Sequence, residues 1–152
     1  MSGVTSSQQG TSPYAGDVSP RAAWSQLAEE KGALLIDVRT EAEWNFVGIP
    51  DLTSMGKKAL LIEWQHFPSA PNTAFEVQAK AALERAGYRK GAPIYFLCRS
   101  GARSKAAAIA LTAEGYGPCF NVSDGFEGAL DGGGHRGVQG GWKASGLPWV
   151  QS

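Results

Sequence analysis

Six consecutive residues, Cys98-Arg99-Ser100-Gly101-Ala102-Arg103, put a sulfur nucleophile beside two cations and a glycine. A thiol attacks as its thiolate, and cationic neighbours or a helix N-terminus favour that form. From Arg85 to Lys105, both included, stand six basic residues and no acidic one, although the 14 Lys and Arg of the whole chain balance its 14 Asp and Glu. Gly101 lets the backbone bend so that successive N–H groups turn inward as an anion nest. The chemistry expected of this segment is attack by Cys98 on an electrophile that carries negative charge. The plain alternative is a buried core cysteine. Two arginines, a glycine, a strand before and a helix after argue against it.

The elements around the loop must place it. Residues 93–98, PIYFLC, form a short, continuous apolar run of the kind a strand buried on both faces shows. SKAAAIALTAEG follows as a small-residue helix ending at Gly115. Similar runs are ALLIDV (33–38), ALLIEW (59–64) and CFNV (119–122). Ser19-Pro20 opens a helix that Gly32 ends, and Asn72 is placed to cap another that stops at Gly87. Strands alternating with helices predict an α/β fold with a parallel sheet and helices on both faces. Ligands of such sheets sit at the carboxyl ends of the strands, here Asp37–Arg39, Glu63–Gln65, Cys98–Arg103 and Ser123–Phe126.

Other residues around that crevice have two readings. Asp37 and Arg39 either shape the wall beneath the cysteine loop or form a structural ion-pair network, the reading favoured here. Arg39 and Glu43, four apart, are spaced to pair on a helical turn. Glu63 and Trp64 end a strand and are candidates for the pocket mouth, with ordinary packing the alternative for Trp64. Cys119 begins its strand, so it lies opposite Cys98 and reads as a core cysteine rather than a redox partner. His135 and Arg136 stand in a Gly-rich stretch as candidate anion binders or a solvated loop. His66 receives no role. Trp142 and Trp149 are expected to pin the C-terminal segment.

LIDVRTEAEW, LCRSGARS and GGWKASGLPW, in that order and separation, resemble the rhodanese domain of single-domain type over about Asp17 to Trp149. The resemblance implies a rhodanese-like three-layer sandwich whose five-stranded parallel sheet starts with a short strand near Val18. Many members read Gly-His-Ile-Pro-Gly after the first signature; here the segment is Val47-Gly48-Ile49-Pro50-Asp51, without the histidine. Loop length divides the family's chemistry. Phosphatases and arsenate reductases use C-x5-R, whereas here the arginine is fifth after Cys98 and Ser104 is sixth. The shorter cup implies sulfur transfer, and Arg99 and Arg103 favour a small dianion such as thiosulfate. Cys98 is the implied nucleophile, with residues 99–103 binding the donor and Asp37, Arg39, Glu63 and Trp64 in support. A persulfide carrier serving protein partners is the alternative; a phosphatase or arsenate reductase is a weaker one. The acceptor would be cyanide or a thiol, with no metal or organic cofactor.

Composition bounds the rest. The 152 residues fit one domain, with 43% hydrophobic residues. Residues 1–16 read as a flexible polar tail and 17–152 as the domain. Zero net charge argues against a nucleic-acid partner, and no apolar run approaches a membrane span. Two cysteines without a secretory signal make the cytoplasm the default.

Overall fold

The computed structural model describes residues 12–128 and 140–151. Five strands form one sheet: β1 (Gly16–Val18), β2 (Leu34–Asp37), β4 (Leu60–Leu61), β7 (Ile94–Leu97) and β8 (Cys119–Val122). Their order is β1-β8-β7-β2-β4, and every pairing is parallel. The β1 edge includes Ala15, whose N–H donates to the Cys119 carbonyl at 2.8 Å. Two antiparallel pairs lie outside this sheet. One joins β3 (Ile49–Pro50) to β9 (Trp149–Val150); the other joins β5 (Gln65–His66) to β6 (Ala70–Pro71).

Strand alternation divides the core into two layers. Ile36, Ile94 and Phe96 face helices α3 (Phe75–Arg85) and α4 (Ala102–Ala113), through Ala79, Leu83, Ala107, Ala108 and Leu111. Leu35, Tyr95, Leu97 and Val122 face α1 (Pro20–Glu29) and the short α5 (Gly141–Ala144), through Ala23, Leu27 and Trp142. The expected three-layer rhodanese-like sandwich, helices on both faces of a five-stranded parallel sheet, is the observed architecture.

Local signals act mostly where expected. Ser19 caps α1 by accepting from the Ala22 N–H at 3.1 Å, with Pro20 in the first turn. α2 (Glu41–Val47) starts with a reciprocal capping box between Thr40 and Glu43. Asn72 caps no helix directly, because α3 begins at Phe75. Its Oδ1 accepts from the Ala74 N–H instead, and its Nδ2 ties back to the Glu63 carbonyl. The 59–64 run contributes only Leu60–Leu61 to the sheet, since β4 is an edge strand paired on one side. Trp142 is fully buried, meets Trp24 edge-on at 5.8 Å and donates from Nε1 to the Pro148 carbonyl. Trp149 holds the other end through β3, so both tryptophans pin the C-terminal segment.

Candidate active site

Cys98 follows the last residue of β7, and α4 begins four residues later at Ala102. The connection is tight enough to require glycine at 101. Gly101 has φ +116°, and a Cβ there would lie 2.2 Å from the Ser123 carbonyl oxygen. This bend turns the Gly101 N–H onto Cys98 Sγ at 3.1 Å. The hydroxyl of Ser104, fully buried in the first turn of α4, lies 3.2 Å from the same sulfur. Among the described residues no side chain caps α4 at its N-terminus, which leaves its first N–H groups at the loop.

The turn after β8 holds the loop from behind. Phe126 N–H donates to the Cys98 carbonyl at 2.8 Å, and Glu127 N–H to the Arg99 carbonyl at 3.0 Å. Gly125 permits that approach: a Cβ on it would meet the Arg99 carbonyl oxygen at 2.4 Å. The Phe126 ring stacks under the Arg39 guanidinium, 4.2 Å from its centroid.

Asp37 and Arg39 are both completely buried and form a close pair, with Nη2 to Oδ2 at 2.6 Å. Arg39 also donates to the Gly48 carbonyl at 2.8 Å, which joins β2 to the Val47–Asp51 segment. The pair is thus a structural ion pair, and its guanidinium lies on Phe126, whose N–H holds the Cys98 carbonyl. Arg39 does not pair with Glu43, as its spacing suggested, because Asp37 claims it.

Glu43 goes instead to Arg103, in a two-pronged contact of 2.7 and 2.9 Å. Burial alone would raise the Glu43 carboxyl, but hydrogen bonds from Arg103 and Thr40 outweigh it and bring it down to about 2. Arg103 therefore reaches the site already neutralised by a carboxylate. Arg99 is exposed, and among the described residues it has no ion-pair partner. Ser100 on the same loop and Ala102 at the start of α4 are exposed.

A cleft of about 320 Å³ opens beside the loop, lined by Arg99, Arg103, Glu43, Phe46, Phe67 and Pro68 among others. Cys98 does not line it and is only 1% exposed, a sulfur at the base of its loop. Glu63 and Trp64 are not at this mouth. The Glu63 carboxylate accepts from the Glu41 N–H at the start of α2 and from His66 Nδ1, so His66 has a partner three residues away. Trp64 packs edge-on against Phe75 at 4.9 Å, in the core. Gln65, Phe67 and Pro68 occupy the place expected for them. His135 and Arg136 lie outside the described residues.

Cys119 is paired in register with Ile94, at the amino end of β7, a full strand from Cys98. Burial pushes its thiol up, and both cysteines are free. Sequence reasoning gave no role to Asn121, whose Oδ1 lies 2.5 Å from the Ser104 hydroxyl. The available signal was a lone amide in the buried strand CFNV. Glu43's partner was missed as well, since 60 residues separate it from Arg103.

A parallel five-stranded sheet with a glycine-bent cysteine loop between its central strand and a helix defines a rhodanese-like domain. Residues 15–152 match the family model described as the STR4 middle domain. The chain belongs to this rhodanese-like family. Rv0390 from M. tuberculosis, in its crystal structure, is 47% identical with a TM-score of 0.83, covering 91% of this chain and 99% of that one. The protein named thylakoid rhodanese-like in Oryza sativa subsp. indica is 32% identical over 138 residues, 91% of this chain and 25% of that longer one. The Wolinella succinogenes polysulfide-sulfur transferase homodimer shares the fold, at 22% identity and a TM-score of 0.61, over 95% of this chain and 84% of that one. Among the described residues no helix is long and apolar enough to cross a membrane.

Proposed function

We propose that this protein is a thiosulfate sulfurtransferase working through a persulfide on Cys98. The observation that carries the reading is the sulfur's position, at the uncapped N-terminus of α4 with the Gly101 N–H directed onto it. A helix N-terminus and inward amides favour negative charge at that point. In the first half-reaction the Cys98 thiolate attacks the outer sulfur of thiosulfate. The new S–S bond forms as the bond to the sulfonate sulfur breaks, and its electron pair leaves with sulfite. In the second, cyanide or a thiolate attacks the outer persulfide sulfur, takes it, and returns Cys98 as thiolate. One covalent intermediate makes the scheme ping-pong.

Arg99 supplies the cation that meets the donor, since Glu43 already occupies Arg103. The loop amides of residues 100–103 stabilise charge on the departing group. Asp37 and Arg39 act from beneath, by holding the loop's backing turn. Two free thiols and a balanced charge support a reducing compartment such as the cytoplasm and small anionic substrates rather than nucleic acid.

A second reading is a persulfide carrier emptied by a protein acceptor. It is favoured by two phenylalanines on the cleft, Phe46 at 79% and Phe67 at 71% exposure, which cyanide would not need. Intact-protein mass spectrometry after thiosulfate treatment tests both readings, with one added sulfur expected on the Cys98 peptide. Steady turnover with thiosulfate and cyanide then supports the enzyme, and a loaded but stalled protein supports the carrier. Sulfur absent from Cys98 overturns both.

A further inference from the structure

We infer that Asn121 competes with Cys98 for the single hydroxyl hydrogen of Ser104, and that Asp17 biases the contest by fixing the Asn121 amide. The inference rests on the reading of Cys98 as the nucleophile.

Ser104 Oγ has three acceptors around it and one hydrogen to give. Cys98 Sγ is at 3.2 Å, the Gly101 carbonyl at 3.2 Å and Asn121 Oδ1 at 2.5 Å. The Gly101 carbonyl is already served by the Lys105 N–H of α4. The orientation of Asn121 follows from its other end. Nδ2 donates to Asp17 Oδ1 at 3.1 Å, and that carboxylate also accepts from the Tyr14 hydroxyl at 2.9 Å. An ionised carboxylate only accepts, so Asn121 must turn its NH2 toward Asp17 and its carbonyl toward Ser104. Ser104 and Asn121 are 0% and 3% exposed, so water does not replace a lost partner.

The consequence for the sulfur is directional. While Asn121 holds the hydrogen, Ser104 turns a lone pair to Sγ. That suits a thiol S–H, which donates to it, and opposes a thiolate. To serve the thiolate, the hydroxyl must rotate its hydrogen onto Sγ and leave the buried Asn121 carbonyl unpaired, which is costly. Asn121 is thus a positioning residue that restrains the nucleophile through Ser104.

The test is the rate and pH profile of iodoacetamide alkylation, followed on the Cys98 peptide. Asn121→Leu frees the hydrogen, so alkylation at neutral pH should rise roughly fivefold, the scale of one hydrogen bond, and the profile should move to lower pH. In the Ser104→Ala background the same substitution should change the rate less than about twofold, because no hydrogen remains to be released. Should Asn121→Leu fail to fold, Asp17→Ala at the exposed sheet edge carries the test. It lets the Asn121 amide turn over, and its gain should again shrink without the Ser104 hydroxyl. What persists there is the loss of one negative charge. The other charged groups on the loop and the elements packed against it are untouched in every variant: Arg99 on the loop, Arg103 and Lys105 on α4, Glu43 on α2, Asp37 at the end of β2 with Arg39 just beyond it, and Asp124 after β8. Equal gains with and without Ser104, or no gain in either background, would overturn the inference. Alkylation uses no sulfur donor. A Ser104-dependent gain without persulfide formation therefore removes the proposed function alone, and persulfide formation without that dependence removes this inference alone.

Discussion

The two ends of one parallel sheet each carry a cysteine, and their surroundings differ in kind. At the carboxyl end Cys98 follows the last residue of β7 and meets an N–H, a hydroxyl and the start of a 12-residue helix. At the amino end Cys119 opens β8 inside the apolar layer of α3 and α4, beside Ile94. Both are 1% exposed, so burial does not separate them. What separates them is which polar groups come with the burial. Burial pushes the Cys119 thiol up, against the small opposing effect of a hydrogen bond with Thr112. In a parallel sheet every strand delivers its loop to the carboxyl end, and the N-termini of the crossover helices converge there. Polar groups gather on that side for topological reasons.

The largest effect should come from exchanging the cysteines' roles. Cys98→Ala is expected to abolish persulfide formation and sulfur transfer, whereas Cys119→Ala should keep most of the turnover. The readouts are the mass of the thiosulfate-treated protein and thiocyanate release. Substantial turnover without Cys98 would erase the distinction between the two ends.

Next in size is Gly101→Ala. The added Cβ meets the Ser123 carbonyl at 2.2 Å in a backbone conformation that L side chains avoid. Roughly 2–4 kcal/mol of destabilisation should follow, and the backbone shift should turn the residue 101 N–H away from Sγ. Alanine at Gly115 is the control, since among the described residues nothing lies within 4 Å of its Cβ, although its φ of +91° keeps a smaller backbone cost. Urea titrations of the two variants that coincide would show that the loop tolerates what the geometry forbids.

A smaller effect tests the Glu43–Arg103 pair, on the active-site side only. The folded-state carboxyl of Glu43, at about 2, lies below the ordinary value near 4.3. Its contribution is therefore fully present above about pH 4.5 and is lost as pH falls through about 2. With side chains 18% exposed, solvent screening leaves about 2 kcal/mol. Glu43→Gln should lose that much less stability than the parent chain between pH 5 and pH 2. Parallel stability curves would mean the pair contributes nothing.

The contrast between the ends also marks how far the residues alone can be read. The loop 98–103 is legible because its parts are adjacent: strand, cysteine, glycine and helix succeed one another within ten residues. The order of runs, and the opposite placement of Cys98 and Cys119, follow from the same local reading. Partners brought together by the sheet are not legible in this way. Glu43 takes Arg103 across 60 residues and Asn121 reaches Asp17 across 104, and neither spacing leaves a periodic trace. Glu63 was misplaced because a bend at Trp64 leads straight into the β5–β6 pair, whose two-residue strands carry no alternation. The cleft wall consequently came from Phe67 and Pro68, residues with no chemical signature of their own.

The smallest expected effect bears on which cation serves the donor anion. Arg99 and Arg103 looked equivalent as flanks of one loop, but one is exposed and unpaired among the described residues and the other is held by Glu43. Arg99→Ala should raise the KM for thiosulfate about tenfold, in line with one charge-assisted contact, and leave kcat and urea stability near their original values. The KM difference between parent and variant should shrink in high salt, because an exposed charge is screened. Arg103→Ala should instead lower stability as well, since it strands a largely buried carboxylate. An unchanged KM in the Arg99 variant would transfer anion recognition to the amides at the start of α4. The charge on this rim would then act on the thiolate alone and not on the donor.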